Sequence, residues 1–245
     1  TGSGNISVSG DLLATNAGSE SLIVNSTGVA TFGGAVGNGS SSLTSYFNLF
    51  TTDAGGTAQF AGNVVSLVIA LNSDVELLGN VTFAGEGGAF NGSVDGGGFG
   101  VQLGFLETAV DGARWSNLAS LRFEGDGGNT IGTISLSNTI TTTGLQEYNG
   151  RVVLSDNTTL VAGADGVSFL GGVDGSTSGN QSLAVNTTGP TVFGGNIGAT
   201  TPLASLTTSA GGNTTIAGPS VITTGNQSYG DAVVLSGALR AAATT

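Results

Sequence analysis

The chain of 245 residues contains no cysteine, no methionine, no histidine and no lysine, and each absence closes a chemistry. Without histidine, cysteine or lysine there is no Ser-His-Asp or Cys-His nucleophile, no Cys/His zinc site, no phosphate loop with its lysine and no Schiff-base lysine. The missing thiols and thioethers remove the main oxidation targets, which suits a long-lived extracellular material. What remains for chemistry is carboxylates, hydroxyls and a few arginines. No cofactor and no metal site is expected.

Positive charge is nearly absent. Four basic residues stand against sixteen acidic ones, a net charge of −12. A backbone binder of nucleic acid must neutralise phosphates with Lys and Arg, so nucleic acid is not an expected partner. Charged residues are only 8% of the chain and apolar ones 38%, a balance that predicts folding rather than disorder. Long apolar runs are missing too. The longest, VVSLVIAL from Val64 to Leu71, falls far short of the roughly 18 residues of a membrane helix and reads as a buried strand. Membrane insertion is not expected. The chain begins at Thr1 without Met or a leader pattern, which suggests a mature or excised segment of a longer protein.

What the chain has in abundance is glycine, 45 residues, and repetition. ITTTGLQEYNGRVVLS, Ile140 to Ser155, and VITTGNQSYGDAVVLS, Val221 to Ser236, share nine of sixteen positions at an offset of 81. The shared positions hold no carboxylate, histidine, cysteine or lysine and read as chemically inert. SLIVNSTGVATFGGAVG, from Ser21, returns as SLAVNTTGPTVFGGNIG, from Ser182, at an offset of 161. Three units, approximately 1–78, 79–162 and 163–245, account for the chain. Inside them runs a shorter beat, an apolar residue followed by small residues, at Phe32, Phe60 and Phe83 and again at Phe169, Phe193 and Ile216. The gaps are 28 and 23 in the first set and 24 and 23 in the second, and the 28 becomes 24 if LTSYFNLFTTDAGG carries a four-residue loop insertion, so the smallest unit reads as near 23 residues.

Between the beats lie short runs rich in Val, Ile, Thr and Phe, bounded by Gly, Asn, Asp and Ser, which read as strands and turns. Glycine is too dense for helices and the apolar pattern alternates, so little or no α-helix is expected. Two all-β architectures fit an 81-residue period: three β-sandwiches in a string, or a parallel β-helix (β-solenoid) of short coils, about four per unit. The internal beat favours the solenoid, in which equivalent positions stack. A sandwich needs no such echo and usually keeps a bulky aromatic anchor, whereas this chain has one Trp. The expectation is one elongated solenoid over 1–245.

The pattern TTGxQxYxGxVxL, followed by FGG and LxSLT, resembles the repeats of large secreted bacterial surface proteins of the filamentous haemagglutinin and autotransporter-like type. The resemblance implies a right-handed parallel β-helix, an extracellular or cell-surface location, and a fibre, stalk or adhesin role. It implies no catalytic residues.

Candidate sites follow from the residues. Glu107, Asp111, Glu124 and Asp126 lie near Arg114, Arg122 and the lone Trp115. They could form a paired-carboxylate glycosidase site with Trp115 as a sugar platform, or a polar loop with Arg–carboxylate pairs. VDGGGFG at Val94 and EGDGGNT at Glu124 admit a calcium reading or a plain turn. Ten Asn-x-Ser/Thr sequons, among them Asn25, Asn157, Asn186 and Asn213, are possible glycan acceptors. Tyr46, Phe47 and Phe50 in SYFNLF are either a lateral or glycan contact patch or a cover over their own coil. The matching phase of the two ends predicts self-association head to tail, with Ile6, Val8, Val233, Val234, Leu235 and Leu239 at the joint. The expected partners are further copies of the chain and, secondarily, surface glycans. A structural fibre subunit, a glycan-binding module and a polysaccharide hydrolase are the three functional expectations.

Overall fold

The computed structural model describes residues 2–37, 45–125 and 132–243. Asp126 and the outermost residues Thr1 and Thr245 lie outside that set. The described residues form short strands and no helix, so no helix is long and apolar enough to cross a membrane. Every strand pairing with a stated register is parallel, as a β-solenoid requires.

The chain divides into two compact units. One comprises 1–109, 114–119 and 124–130, the other 110–113, 120–123 and 131–245. In the first, one wall stacks Ile6–Val8, Val29–Phe32, Thr57–Phe60, Asp74–Leu77, Val94–Asp95 and Trp115–Ser116. A second runs through Leu12, Val36, Val64–Val65, Val81–Ala84 and Gly100–Gly104. A third stacks Ser21–Val24, Phe47–Thr52, Val68–Leu71, Gly87–Phe90 and the strand beginning at Glu107. In the second unit, one wall carries Leu121, Gln146, Val167, Thr191, Thr214 and Val233 at matched positions. The next carries Ile134, Val152, Val173, Ile197, Val221 and Ala241. The last carries Asn138, Thr158, Leu183, Leu206 and Gln227.

Alternation decides which side chains enter the interior. In Thr57–Phe60, Ala58 and Phe60 are buried while Thr57 and Gln59 are half-buried on the outside, the period-two pattern of a pleated strand. Phe32, Phe60, Phe83, Phe169, Phe193 and Ile216 are all buried. Tyr148, Phe169 and Phe193 lie in register and stack with ring centroids 5.2 and 5.3 Å apart. Phe32 stacks on Phe60 at 5.2 Å, with Phe50 edge-on to both.

Two details of the repeat differ from its reading in the sequence. Phe83 is not the rung after Phe60. Leu77 is, and Phe83 sits on the second wall between Val64 and Leu103, edge-on to Phe60. Coil length causes the shift, since 28 residues separate Phe32 from Phe60 but only 17 separate Phe60 from Leu77. The 81-residue unit is also not a whole number of coils. Four coils after Gln146 the wall reaches Val233, and Gln227 lies one wall earlier.

The glycine beat marks a corner. A Cβ on Gly218 would meet the Gly195 carbonyl oxygen at 2.0 Å, one on Gly195 the Gly171 oxygen at 2.4 Å, and one on Gly171 the Gly150 oxygen at 2.1 Å. Each lies two residues after an inward side chain, Ile216, Phe193, Phe169 and Tyr148. Close backbone approach between coils demands glycine there.

Candidate functional site

The repeated motif does have a polar purpose, and it faces inward. The amide nitrogen of Gln146, fully buried, lies 3.1 Å from the Ile140 carbonyl, 3.3 Å from the Thr142 hydroxyl and 2.9 Å from the Val161 carbonyl of the next coil. The Tyr148 hydroxyl donates to its carbonyl oxygen at 3.0 Å, and Thr142 donates to Gly144. Eighty-one residues on, Gln227 makes the same contacts with Val221, Thr223 and Ala242, Tyr229 donates to Gln227, and Thr223 to Gly225. A corner clasp ties one coil to the next at two different corners. Sequence reasoning overlooked it, although Gln and Tyr are among the nine retained positions. Burial raises the pKa of the Tyr148 phenol far above its ordinary value and that of half-buried Tyr229 in the same direction.

Carboxylates serve the same end. Asp174 accepts from the backbone N–H groups of Thr200 and Thr201 and pairs with Arg151 at 3.2 Å. Asp11 accepts from Ala35, Asp53 from Ser26, and Asp231 from Gly211. The Ser93 hydroxyl and backbone N–H hold the Asp74 carboxyl below its usual range. Each bond crosses between neighbouring coils.

Three residues of the glycosidase reading bond to groups outside the set. Asp111 accepts from the Ala113 backbone and the Asn138 amide, Arg114 donates to the Asn91 carbonyl, and Arg122 pairs with Glu147 at 2.6 Å. Glu107 stands exposed on the third wall of the first unit and Glu124 is half-buried. Trp115 is not a sugar platform. The residue is 5% exposed and its ring packs edge-on against Phe90 at 5.0 Å, because its strand position points into the coil opposite Val94. In VDGGGFG, Asp95 closes a turn by accepting from the Gly97 N–H and the Asn117 amide, with Gly97 and Gly98 at positive φ. Among the described residues no group of three or more His, Cys, Asp or Glu could hold a metal ion. Asn25, Asn157, Asn186 and Asn213 are all exposed.

SYFNLF covers its own coil. Phe47 is buried and Phe50 fully so, leaving only Tyr46 half-exposed. They are therefore no exposed contact patch: Phe50 is inward in step with Thr52, and Phe47 is buried across a break in the alternation at Asn48–Leu49, where it lies opposite buried Ser66. Tyr46 borders a recess of 280 Å³ lined by Val65, Ser66, Leu67, Ala84, Gly85 and Glu86. The Ser66 hydroxyl there is already within hydrogen-bond distance of the Phe47 and Val68 carbonyls.

At the terminal strands, Ile6 and Val8 occupy inward positions opposite Ala30 and Phe32, and Val233 and Leu235 occupy those opposite Thr214 and Ile216. Val234 is different: it continues the outward column of Val192 and Thr215. The inward pair is nonetheless 40% and 50% exposed, and Leu239 is half-exposed. Among the described residues, Ile6–Val8 and Ala232–Leu235 each pair along one edge.

The outer face of the third wall in the first unit carries two columns, Ser21, Leu49, Val68, Gly87 and Glu107 beside Ile23, Thr51, Ala70, Ala89 and Ala109. Ile23 is 59% and Val68 44% exposed. An open hollow of 470 Å³ lies over Gly87 and Ala89, bounded by Val68, Ala70, Glu107 and Ala109. Compared with known proteins, the chain matches no family model, no curated protein and no solved structure.

Proposed function

We propose that the chain is a structural segment of an extracellular bacterial surface fibre or stalk, in which β-solenoid coils continue from one segment to the next. The observation that carries this reading is the deployment of polar groups. Gln146, Gln227, Asp174, Asp11 and Asp231 all knit coil to coil. Among the described residues, the inward apolar residues Ile6, Val8, Val233 and Leu235 stand on strands with a registered partner along one edge alone. A parallel edge over apolar side chains is completed by further coils of the same kind. Stacking of this heterologous sort grows rather than closes unless its rotation returns on itself.

Electron microscopy of the purified chain tests the proposal. Filaments with a uniform axial repeat are expected. Isolated particles that bind glycan arrays, or that release reducing ends from polysaccharide, overturn it in favour of a binding module or a hydrolase. The buried Trp115, and Asp111 engaged by the Asn138 amide, give those two readings less support.

A further inference from the structure

We infer that the outer face of the third wall in the first unit is a lateral interface whose occupant is a second copy of the same face, inverted end for end. The face grades along its length. Ile23 and Leu49 make a raised apolar end, Gly87, Ala89 and Ala109 make a hollow one, and Val68 stands on the middle rung. A two-fold axis along strand Val64–Leu71 sets Leu49 of one copy over Gly87 of the other, Ile23 over Ala109, and Val68 and Ala70 each over its own counterpart. Ridge then fills hollow in both directions.

Gly87 is the observation that points outside the molecule. It lies within a strand without positive φ, and a Cβ there would meet nothing within 4 Å. The backbone there does not need glycine, and glycine loses more conformational freedom on folding than a residue with a side chain. Glycine so placed marks the close approach of another surface.

Charge selects both partner and direction. In a chain of net charge −12, copies repel over most of their surface, but this face carries one charge, Glu107. The inverted pairing places Glu107 opposite the Ser21 hydroxyl, a donor. With ~4.8 Å between rungs, the two carboxylates then stand roughly 19 Å apart, beyond the ~10 Å screening length at 0.1 M salt. An uninverted pairing puts both on one rung. The patch is roughly 19 Å by about 10 Å, well under the ~800 Å² per partner of a standard interface. A single pairing is accordingly weak and strengthens when copies repeat along a fibre.

The inference deepens the fibre reading, yet its failure registers separately: filaments that never pair, or pairs that never elongate. Because the chain has no cysteine, single-cysteine variants report proximity directly. With a short thiol-specific cross-linker, Ala70→Cys should dimerise at least about tenfold faster than Thr31→Cys on another wall. A mixture of Ile23→Cys and Ala109→Cys should give the mixed dimer over either homodimer. Adding Gly87→Leu, whose Cβ meets no atom of the chain within 4 Å, should abolish cross-linking through Ala70→Cys while circular dichroism is unchanged. Equal rates at positions 70 and 31, preferred homodimers at 23, or indifference to Gly87→Leu overturns the inference. So does a chain that stays monomeric and shields position 70 only when a polysaccharide is added.

Discussion

Gln146 and Gln227 perform one task in two environments, which makes them an internal control at the level of single residues. Gln146 is fully buried and Gln227 half-buried. Replacing Gln146 with leucine leaves the Ile140 and Val161 carbonyls without their donor in a dry interior, at about 1–3 kcal/mol. Gln227 and its acceptor Ala242 are only half-buried, so there the loss should be clearly smaller. Urea unfolding of the two variants decides this, and equal losses would refute the clasp as a stabilising element. Tyr148 adds a pH dependence. Its phenol is held protonated by burial, while unfolded tyrosine ionises near ~10. Above that pH the unfolded state binds fewer protons than the folded one, so stability is intact below about pH 10 and falls as pH rises. Tyr148→Phe should flatten that alkaline slope, and an unchanged slope would assign it elsewhere.

Among the elements, glycines of opposite meaning share one composition. The corner column of Gly150, Gly171, Gly195 and Gly218 is in backbone contact between coils. Gly195→Ala pushes a methyl into the Gly171 carbonyl and should destabilise by about 1–3 kcal/mol, as overpacking does. Gly87→Ala meets open space and should stabilise by up to about 1 kcal/mol through the unfolded chain. Denaturation midpoints moving in the same direction for both would show that the corner is not under steric constraint. The paired carboxylates and arginines outside the corners weigh less. Arg122–Glu147 and Arg151–Asp174 have arginine side chains 43% and 45% exposed, and such pairs stabilise little.

For the whole molecule, the decisive question is whether copies of the chain stack on the strands Ile6–Val8 and Ala232–Leu235. Leu235 occupies an inward position over Ile216, whereas Val234 points outward. If copies stack end to end, Leu235→Asp buries a charge at the joint and should shorten filaments sharply, while Val234→Asp should leave their length nearly unchanged. Length distributions from electron microscopy measure both. Equal effects would mean that the joint is not a continuation of the interior.

The all-β solenoid class, the absence of helix in the described residues and the inward side chains at the beats were determined by the sequence itself. They follow from local rules, period-two alternation and glycine at corners, that act over a few residues. Which wall a residue occupies was decided only by the tertiary structure. Coils of 17 and 28 residues occur in succession, so a spacing read along the chain does not convert into a position around the coil, and Phe83 lands on another wall than Phe60. The same limit hid the fate of Trp115 and Phe50, whose burial depends on coils stacked above and below. It hid the partners of Gln146 as well, since its amide draws on Val161, one coil away. The exposed ladder around Gly87 draws on five separated segments, and no single stretch of sequence spells out a surface that exists only once coils of unequal length have come into register.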